Sequence, residues 1–423
     1  MASRHERLMR LTQRHMARGV RAGFTRLRTE DEEFTGAFIT VNGSRLVDFG
    51  SCSYLGLNRD PRMVEAATRA MERFGTSHSS STMYTSIGLY SELEERLRKM
   101  FGGEVAVAPT TTLAHLAALP VLIGPGDLAI VDRQAHASLH LAATVLMGNG
   151  VAIENVDHND LAALYSILDQ KASAYNKVWY VTDGMYSMHG DLAPIEELRP
   201  LLDRFSNLHF YLDDAHAFGW KGTHGVGHTL TGMELHERLI VAAGLSKSFG
   251  ATGAVLAFGD PDLAERVLLC GAPFTFSGPL QPAALGAAIA SADIHLSPEH
   301  VERQEALLRK IEMAQSLLVQ YDIPAADLSA TPVWFVRIGS TDDVVDVMHS
   351  VMADGYYVNA SAYPAVPLGE AGIRFTQTLH QSDEQLEGLI AAIARAIHSK
   401  VDVTIDLTTH EAWNSRHLQE VTT

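Results

Sequence analysis

The chain has 423 residues, 46% of them hydrophobic and 20% charged, enough apolar material for two domains with full cores and unlike a disordered or collagen-like composition. No uninterrupted apolar run approaches the ~18 residues of a membrane span, and the arginine-rich N-terminus lacks the apolar stretch of a secretory signal, so a cytoplasmic location is expected. The net charge of −17 is uneven: residues 1–28 hold eight Arg and one Glu, while the remainder holds 25 basic against 49 acidic residues, which disfavours nucleic-acid binding by the body. Two cysteines, Cys52 and Cys270, give neither a disulfide framework nor a C-x-x-C pair, and none of the twenty histidines forms an H-E-x-x-H pair, so no metal is expected.

Arg7, Arg10, Arg14, Arg18 and Arg21 recur every three or four residues, which lines them along one face of a helix. Such a stripe can meet a polyanion; a solvated face or a contact with a partner subunit explains it more simply. A strand-like stretch from Ala37 to Phe49, broken by Asn42-Gly43, reads as a hairpin leading into the main domain. From Leu57 to Leu280, helix-period segments (Pro61 to Phe74, Leu89 to Phe101, Pro194 to Phe205) alternate with short apolar strands at 105–107, 128–131, 178–181 and 210–212. That alternation predicts an α/β domain with a mostly parallel sheet covered on both faces. The alanine-rich stretch from Pro282 to Ile294 reads as a long helix leaving it. A smaller α/β domain follows, with helices over 301–321, 344–354 and 382–399 and strands over 333–338, 356–358 and 373–376. The expected organisation is a basic helix and hairpin (1–56), a large domain (57–285), a small C-terminal domain (286–400) and a tail (401–423) without clear period.

In parallel sheets, ligands bind outside the carboxyl ends of the strands. Three such ends carry unusual residues: Asp132 with His136 four residues on, Asp213-Asp214-Ala215-His216, and Ser246-Lys247-Ser248 after the run Leu239 to Ala243. A pyridine aldehyde cofactor needs a lysine for a Schiff base, a carboxylate to hold its ring nitrogen protonated and a flat group to stack on the ring. Lys247, Asp213 and His136 supply these. Its phosphate needs backbone N–H groups at a helix start, and Thr110-Thr111-Thr112 fits.

With these motifs in place, the chain from about Asp48 to Ser399 resembles the α-oxoamine synthases, a branch of the fold type I pyridoxal phosphate enzymes. The marks are Tyr54-Leu55-Gly56-Leu57, Asp132-x-x-x-His136-Ala137-Ser138, the segment from Asp183 to Pro194, Asp213-Asp214-Ala215-His216 with the glycines to Gly227, Lys247, and Pro364-Ala365-Val366-Pro367 ahead of Arg374. The resemblance implies a fold type I large domain followed by a smaller C-terminal α/β domain, in a homodimer with its active site at the subunit interface. It implies Lys247 as Schiff-base lysine and acid/base, Asp213 on the pyridinium nitrogen, His216 and Ser187 near the phenolic oxygen, His136 stacked on the ring, and Asp183 in the cofactor pocket. Ser277 matches the segment whose hydroxyl reaches the phosphate of the neighbouring active site, and Arg374 the arginine for the amino-acid carboxylate. The chain departs from the family pattern at the substrate-facing Ser53 in place of Asn, Ser79 to Ser81 in place of Gly-Ser-Arg, Thr111-Thr112 in place of a Gly-aromatic pair, and Gly244 in place of Thr.

The implied reaction condenses a small amino acid (serine, alanine or glycine) with an acyl thioester on coenzyme A or a carrier protein, with loss of carbon dioxide, to give an α-amino ketone. Two other readings stand beside it: a different pyridoxal phosphate reaction, such as amino-ketone cleavage, decarboxylation or transamination, and a noncatalytic partner subunit.

Overall fold

A computed structural model describes residues 3–399, so the tail 401–423 lies outside the described residues. The N-terminal helix α1 (Arg4–Arg21) begins where the Ser3 side chain accepts the Glu6 N–H. The arginine stripe is on this helix: Arg7, Arg14 and Arg21 are exposed, Arg10 pairs with Glu6, and Arg18 pairs with Asp342 in the C-terminal part of the fold. The hairpin follows as β1 (Phe38–Val41) and β2 (Ser44–Asp48), turning at Asn42-Gly43 with both residues at positive φ.

Next come α2 (Pro61–Phe74), α3 (Leu89–Phe101), β3 (Glu104–Ala108), α4 (Thr111–Leu122), β4 (Leu128–Asp132), α5 (Ala137–Gly148), β5 (Ala152–Val156), α6 (Leu161–Lys171), β6 (Val178–Asp183), α7 (Ile195–Arg204), β7 (Leu208–Asp213), the single turn α8 (Thr229–Gly232) and β8 (Leu239–Gly244). They continue with β9 (Ala254–Phe258), α9 (Pro261–Cys270), the short α10 (Ala272–Phe276) and α11 (Pro282–His295). The predicted bounds of α2 and α3 hold to the residue, because each has a sharp local stop: Asp60 caps α2 ahead of Pro61, and Gly75 and Gly102, both at positive φ, end the two helices.

The strands form one seven-stranded sheet in the order β3-β9-β8-β7-β6-β4-β5, parallel throughout except that β9 runs antiparallel to both its neighbours. Alternate residues point to opposite faces. Leu208, Phe210 and Leu212 of β7 enter the core formed with α3, α6, α7 and α11, while Tyr211 enters the one formed with α4, α5 and α9.

The C-terminal part holds α12 (Glu299–Gln320), β10 (Val333–Gly339), α13 (Thr341–Ala353), β11 (Tyr356–Tyr357), β12 (Asn359–Ser361), β13 (Ala371–Thr376) and α14 (Asp383–His398), which opens on a capping box between Ser382 and Gln385. Two expectations change here. The strand expected over 356–358 is two strands: β12 joins the antiparallel sheet β10-β13-β12, while β11 pairs in parallel with β2. The hairpin therefore packs against the C-terminal part rather than leading into the large sheet, and Val47 and Phe49 belong to the same core as Trp334, Val358 and Phe375. This pairing carries residues 49–54 to the sheet that bears Arg374: the Phe49 carbonyl accepts the Thr376 N–H at 2.8 Å and the Tyr54 carbonyl the Leu379 N–H at 2.9 Å. No helix among the described residues is long and apolar enough to cross a membrane.

Candidate active site

The carboxyl ends of four adjacent parallel strands converge. β4 ends at Asp132, β6 at Asp183, β7 at Asp213 and β8 at Gly244, three residues before Lys247. Asp183 and Asp213 stand opposite each other in the β6–β7 register, 3% and 5% exposed. Burial, reinforced by the neighbouring Asp213 charge, pushes the Asp183 carboxyl well above the usual range. Burial acts on Asp213 in the same sense, but His115, hydrogen-bonded to it, and the nearby Lys247 outweigh it and hold Asp213 below its ordinary value. Two adjacent carboxyls pushed apart in this way divide their roles, one neutral and one ionised.

His136 caps α5, and its backbone N–H donates to Asp183 Oδ1 at 3.0 Å. Its Nδ1 accepts the Ser138 N–H at 3.3 Å and lies 2.7 Å from the Ser138 hydroxyl, which leaves the ring proton on Nε2. Burial lowers its pKa, so the ring is a neutral flat face. His216 is also kept neutral, by burial and then by the cations Lys247 and Arg374. Tyr54, whose phenol is raised well above its usual pKa by burial, keeps its proton and donates it to His216 Nδ1 at 2.7 Å, so His216 also carries its proton on Nε2. Asp214 faces away from this group, accepting the Thr229 N–H at 2.7 Å and fastening the glycine-rich segment before α8.

At the start of α4, the Thr110 side chain accepts the Leu113 N–H, and the N–H groups of Thr111 and Thr112 have no hydrogen-bond partner among the described residues. That leaves two free donors at the positive end of a helix. A Cβ at Gly244 would lie 3.3 Å from Ala215 Cβ and 3.6 Å from Thr111 Cγ2, so two departures from the family pattern are neighbours: the side chain missing at 244 faces the one gained at 111. The residues fit pyridoxal phosphate: a lysine, a buried carboxylate held ionised, a neutral flat imidazole, and free helix N–H groups beside a cradle lined by Gly244 and Thr111.

Arg374 of β13 is 8% exposed; its Nε donates to the Ser187 carbonyl at 2.8 Å and its Nη2 lies 3.7 Å from Cys52 Sγ. Among the described residues it pairs with no carboxylate. Ser187 thus meets Arg374 through its backbone, and its hydroxyl makes no hydrogen bond among the described residues. Ser53 donates its hydroxyl to Asn58 Oδ1 at 2.6 Å. Ser277 ends α10 beside Phe276, which is 87% exposed, and no hydrogen bond joins it to Lys247, Asp213 or His136 among the described residues.

Sequence reasoning missed His115, fully buried on α4, with Nε2 3.0 Å from Asp213 Oδ2 and Nδ1 2.8 Å from the Tyr211 hydroxyl. It also missed the hydroxyl of Tyr54 as the partner of His216. A lone imidazole within the apolar run Leu113 to Leu122, one turn after Thr111, was the available signal.

Residues 44–393 match the class I and II aminotransferase family. Similar relatives include a serine palmitoyltransferase of Bacteriovorax stolpii, 30% identical over 86% of this chain and 86% of the relative. An 8-amino-7-oxononanoate synthase of Geobacter sulfurreducens is 31% identical over 85% of this chain and 91% of its own. Among solved structures, a serine palmitoyltransferase of Sphingomonas wittichii superposes with a TM-score of 0.84 at 23% identity, covering 95% of this chain and 99% of that one, a likeness of fold. The chain belongs to the class I and II aminotransferase family and, within it, to the α-oxoamine synthases, pyridoxal phosphate enzymes that condense an amino acid with an acyl thioester.

Proposed function

We propose that the protein condenses serine, alanine or glycine with an acyl thioester of coenzyme A or a carrier protein, releasing carbon dioxide and an α-amino ketone, at the strand ends around Lys247. Pyridoxal phosphate, when bound, supplies an aldehyde for the amino group and a ring that takes up the electron pair left at the α-carbon. The observation that carries the reading is Arg374, a buried guanidinium without a carboxylate partner among the described residues and within reach of Cys52, Tyr54 and Ser187. A buried cation of this kind calls for an anion, and its planar fork suits the carboxylate of an amino acid.

The other roles follow from the donors each side chain presents. With the cofactor bound, Lys247 would hold its aldehyde carbon and serve as base for the α-proton, Asp213 would accept the hydrogen bond of the ring nitrogen, His136 would cover the ring face, and His216 Nε2–H and the Ser187 hydroxyl would be offered to the phenolic oxygen. Asp183, kept neutral, supports His136 through its backbone. Thr111 and Thr112 would hold the phosphate from the helix start, and in a homodimer Ser277 would reach the phosphate of the neighbouring subunit. Support for the dimer comes from Phe276 and Tyr84, 87% and 84% exposed, a pair of large apolar side chains that a monomer would leave in water. The same reading places the enzyme in the cytoplasm and puts the phosphorylated thioester carrier against the exposed arginines of α1.

Incubation with a range of acyl-coenzyme A chain lengths and each of the three amino acids, reading free thiol, carbon dioxide and product mass, tests the reading. Thiol release that needs one amino acid and yields an amino ketone is expected. An amino acid consumed with the thioester intact would assign a different pyridoxal phosphate reaction.

A further inference from the structure

Asp183 and Asp213 are side by side and nearly sealed from water, yet their surroundings differ. Asp183 accepts one backbone N–H, from His136. Asp213 accepts the Ala215 N–H on Oδ1 at 3.0 Å and faces His115 Nε2 with Oδ2 at 3.0 Å, so both of its oxygens are held. His115 in turn has Nδ1 2.8 Å from the hydroxyl of Tyr211, which lies two residues before Asp213 on the same face of β7. The Tyr211 phenol is fully buried, and burial together with the nearby Asp213 charge raises its pKa well above the ordinary value. It therefore keeps its proton, and its one acceptor among the described residues is His115 Nδ1. A ring that accepts at Nδ1 carries its own proton at Nε2, aimed at Asp213.

We propose that His115, oriented by Tyr211, is a positioning residue of the cofactor site: it donates Nε2–H to Asp213 and makes Asp213, rather than its neighbour Asp183, the anion that holds the proton of the pyridine nitrogen. The inference rests on the pyridoxal phosphate site described above and adds what selects between its two carboxyls. The titratable groups facing Asp213 are His115 from α4, Tyr211 from β7 itself, Asp183 from β6, Asp214 behind it, His136 from the start of α5 and Lys247 after β8. Of these, His115 alone donates a side-chain hydrogen bond to the carboxylate.

The test compares wild type, H115F, H115N and Y211F. In wild-type protein before cofactor is added, nitrogen-15 NMR of the histidines is expected to show His115 as the Nε2–H tautomer, and Y211F to lose that preference. With cofactor labelled at its ring nitrogen, wild type should show a protonated pyridine nitrogen across neutral pH. H115F should move its deprotonation into the neutral range and lower kcat by on the order of ten- to hundredfold, the worth of a hydrogen bond to a charged group, with the amino-acid KM little changed. H115N, which keeps an N–H donor, should recover part of both effects, and it remains informative where H115F folds poorly. A protonated ring nitrogen with an unchanged pH profile in both His115 variants overturns the proposal, as does an Nδ1–H tautomer in wild type. Wild-type protein that takes up no pyridoxal phosphate would instead defeat the cofactor reading and the proposal with it, a result distinguished by the absence of any visible band before mutation.

Discussion

Two histidine–carboxylate clusters, one fully buried and one half-buried, lie at strand ends of the same sheet and behave in opposite ways. Near β7, His115 faces one carboxylate, Asp213, and one phenol, Tyr211. Near β4, His158 faces two carboxylates: Nε2 donates to Asp191 Oδ2 at 2.6 Å, and Nδ1 lies 3.6 Å from Asp132 Oδ1, an ion-pair distance. Burial alone would lower the His158 pKa, but the two carboxylates raise it to about 9, so the ring is a cation at neutral pH. The count of acids around each imidazole sets its role. With two acids, the ring is an ionic clamp; with one acid and a phenol that cannot ionise, it is an oriented donor that tunes its acid.

The clamp also serves the site, at one remove. Asp191 closes the 185–192 segment, which is pinned by the Met185–Leu192 bridge and by the Tyr186 hydroxyl donating to Asp132 Oδ2 at 2.8 Å. Ser187 of that segment presents the carbonyl that holds Arg374. On the proposed reading, one cluster acts on protons in the site, and the other on the shape of its substrate end.

Mutations at the two clusters should separate these roles. D213N should give the largest effect, a fall in kcat of about a thousandfold with little loss of thermal stability, because it removes the charge that keeps the ring nitrogen protonated. R374K should follow, raising the amino-acid KM by on the order of tenfold or more while the visible spectrum of bound cofactor stays as in wild type. D191N should act mainly on stability, costing about 3 kcal/mol in denaturant unfolding by leaving His158 with a weaker partner.

The clamp carries a pH signature of defined sign. The folded pKa of about 9 lies above the unfolded value of about 6.5, so the clamp's contribution is fully present below about pH 6.5 and is lost as pH rises through about 9. Wild type should lose on the order of 3 kcal/mol across that window, and D191N most of that slope. A smaller effect is expected at the phosphate cradle: G244T should crowd Thr111 and weaken cofactor binding by about threefold or more, and T111G combined with G244T should recover it. Smallest of all, reversing Arg7 and Arg14 to Glu should raise the thioester KM at low salt, and an unchanged KM would remove α1 from the thioester's path.

Much of the proposed site was legible because its residues follow apolar strands whose ends are marked by polar runs: Asp132, Asp213 and Lys247 all stand just past such a stretch, while Asp183 came from the family resemblance. The strand Ala254–Phe258 was not read as one, since its antiparallel course between β3 and β8 breaks the strand–helix alternation used to find the others. The pairing of Tyr356–Tyr357 with the N-terminal hairpin joins residues some 310 positions apart and leaves no local trace in either segment. His115 escaped for a related reason. Its partners Tyr211 and Asp213 are 96 and 98 positions away, and within its own helix it is one polar residue in an apolar run.

The claim that Lys247 is the cofactor's anchor is open to one direct measurement. The protein is incubated with pyridoxal phosphate, treated with borohydride to fix any imine as a stable amine, digested and mapped by mass spectrometry. The modification is expected on the peptide that carries Lys247, and to vanish in K247A. A modification found on Lys221 or another lysine, or spread among several, would contradict the site described here.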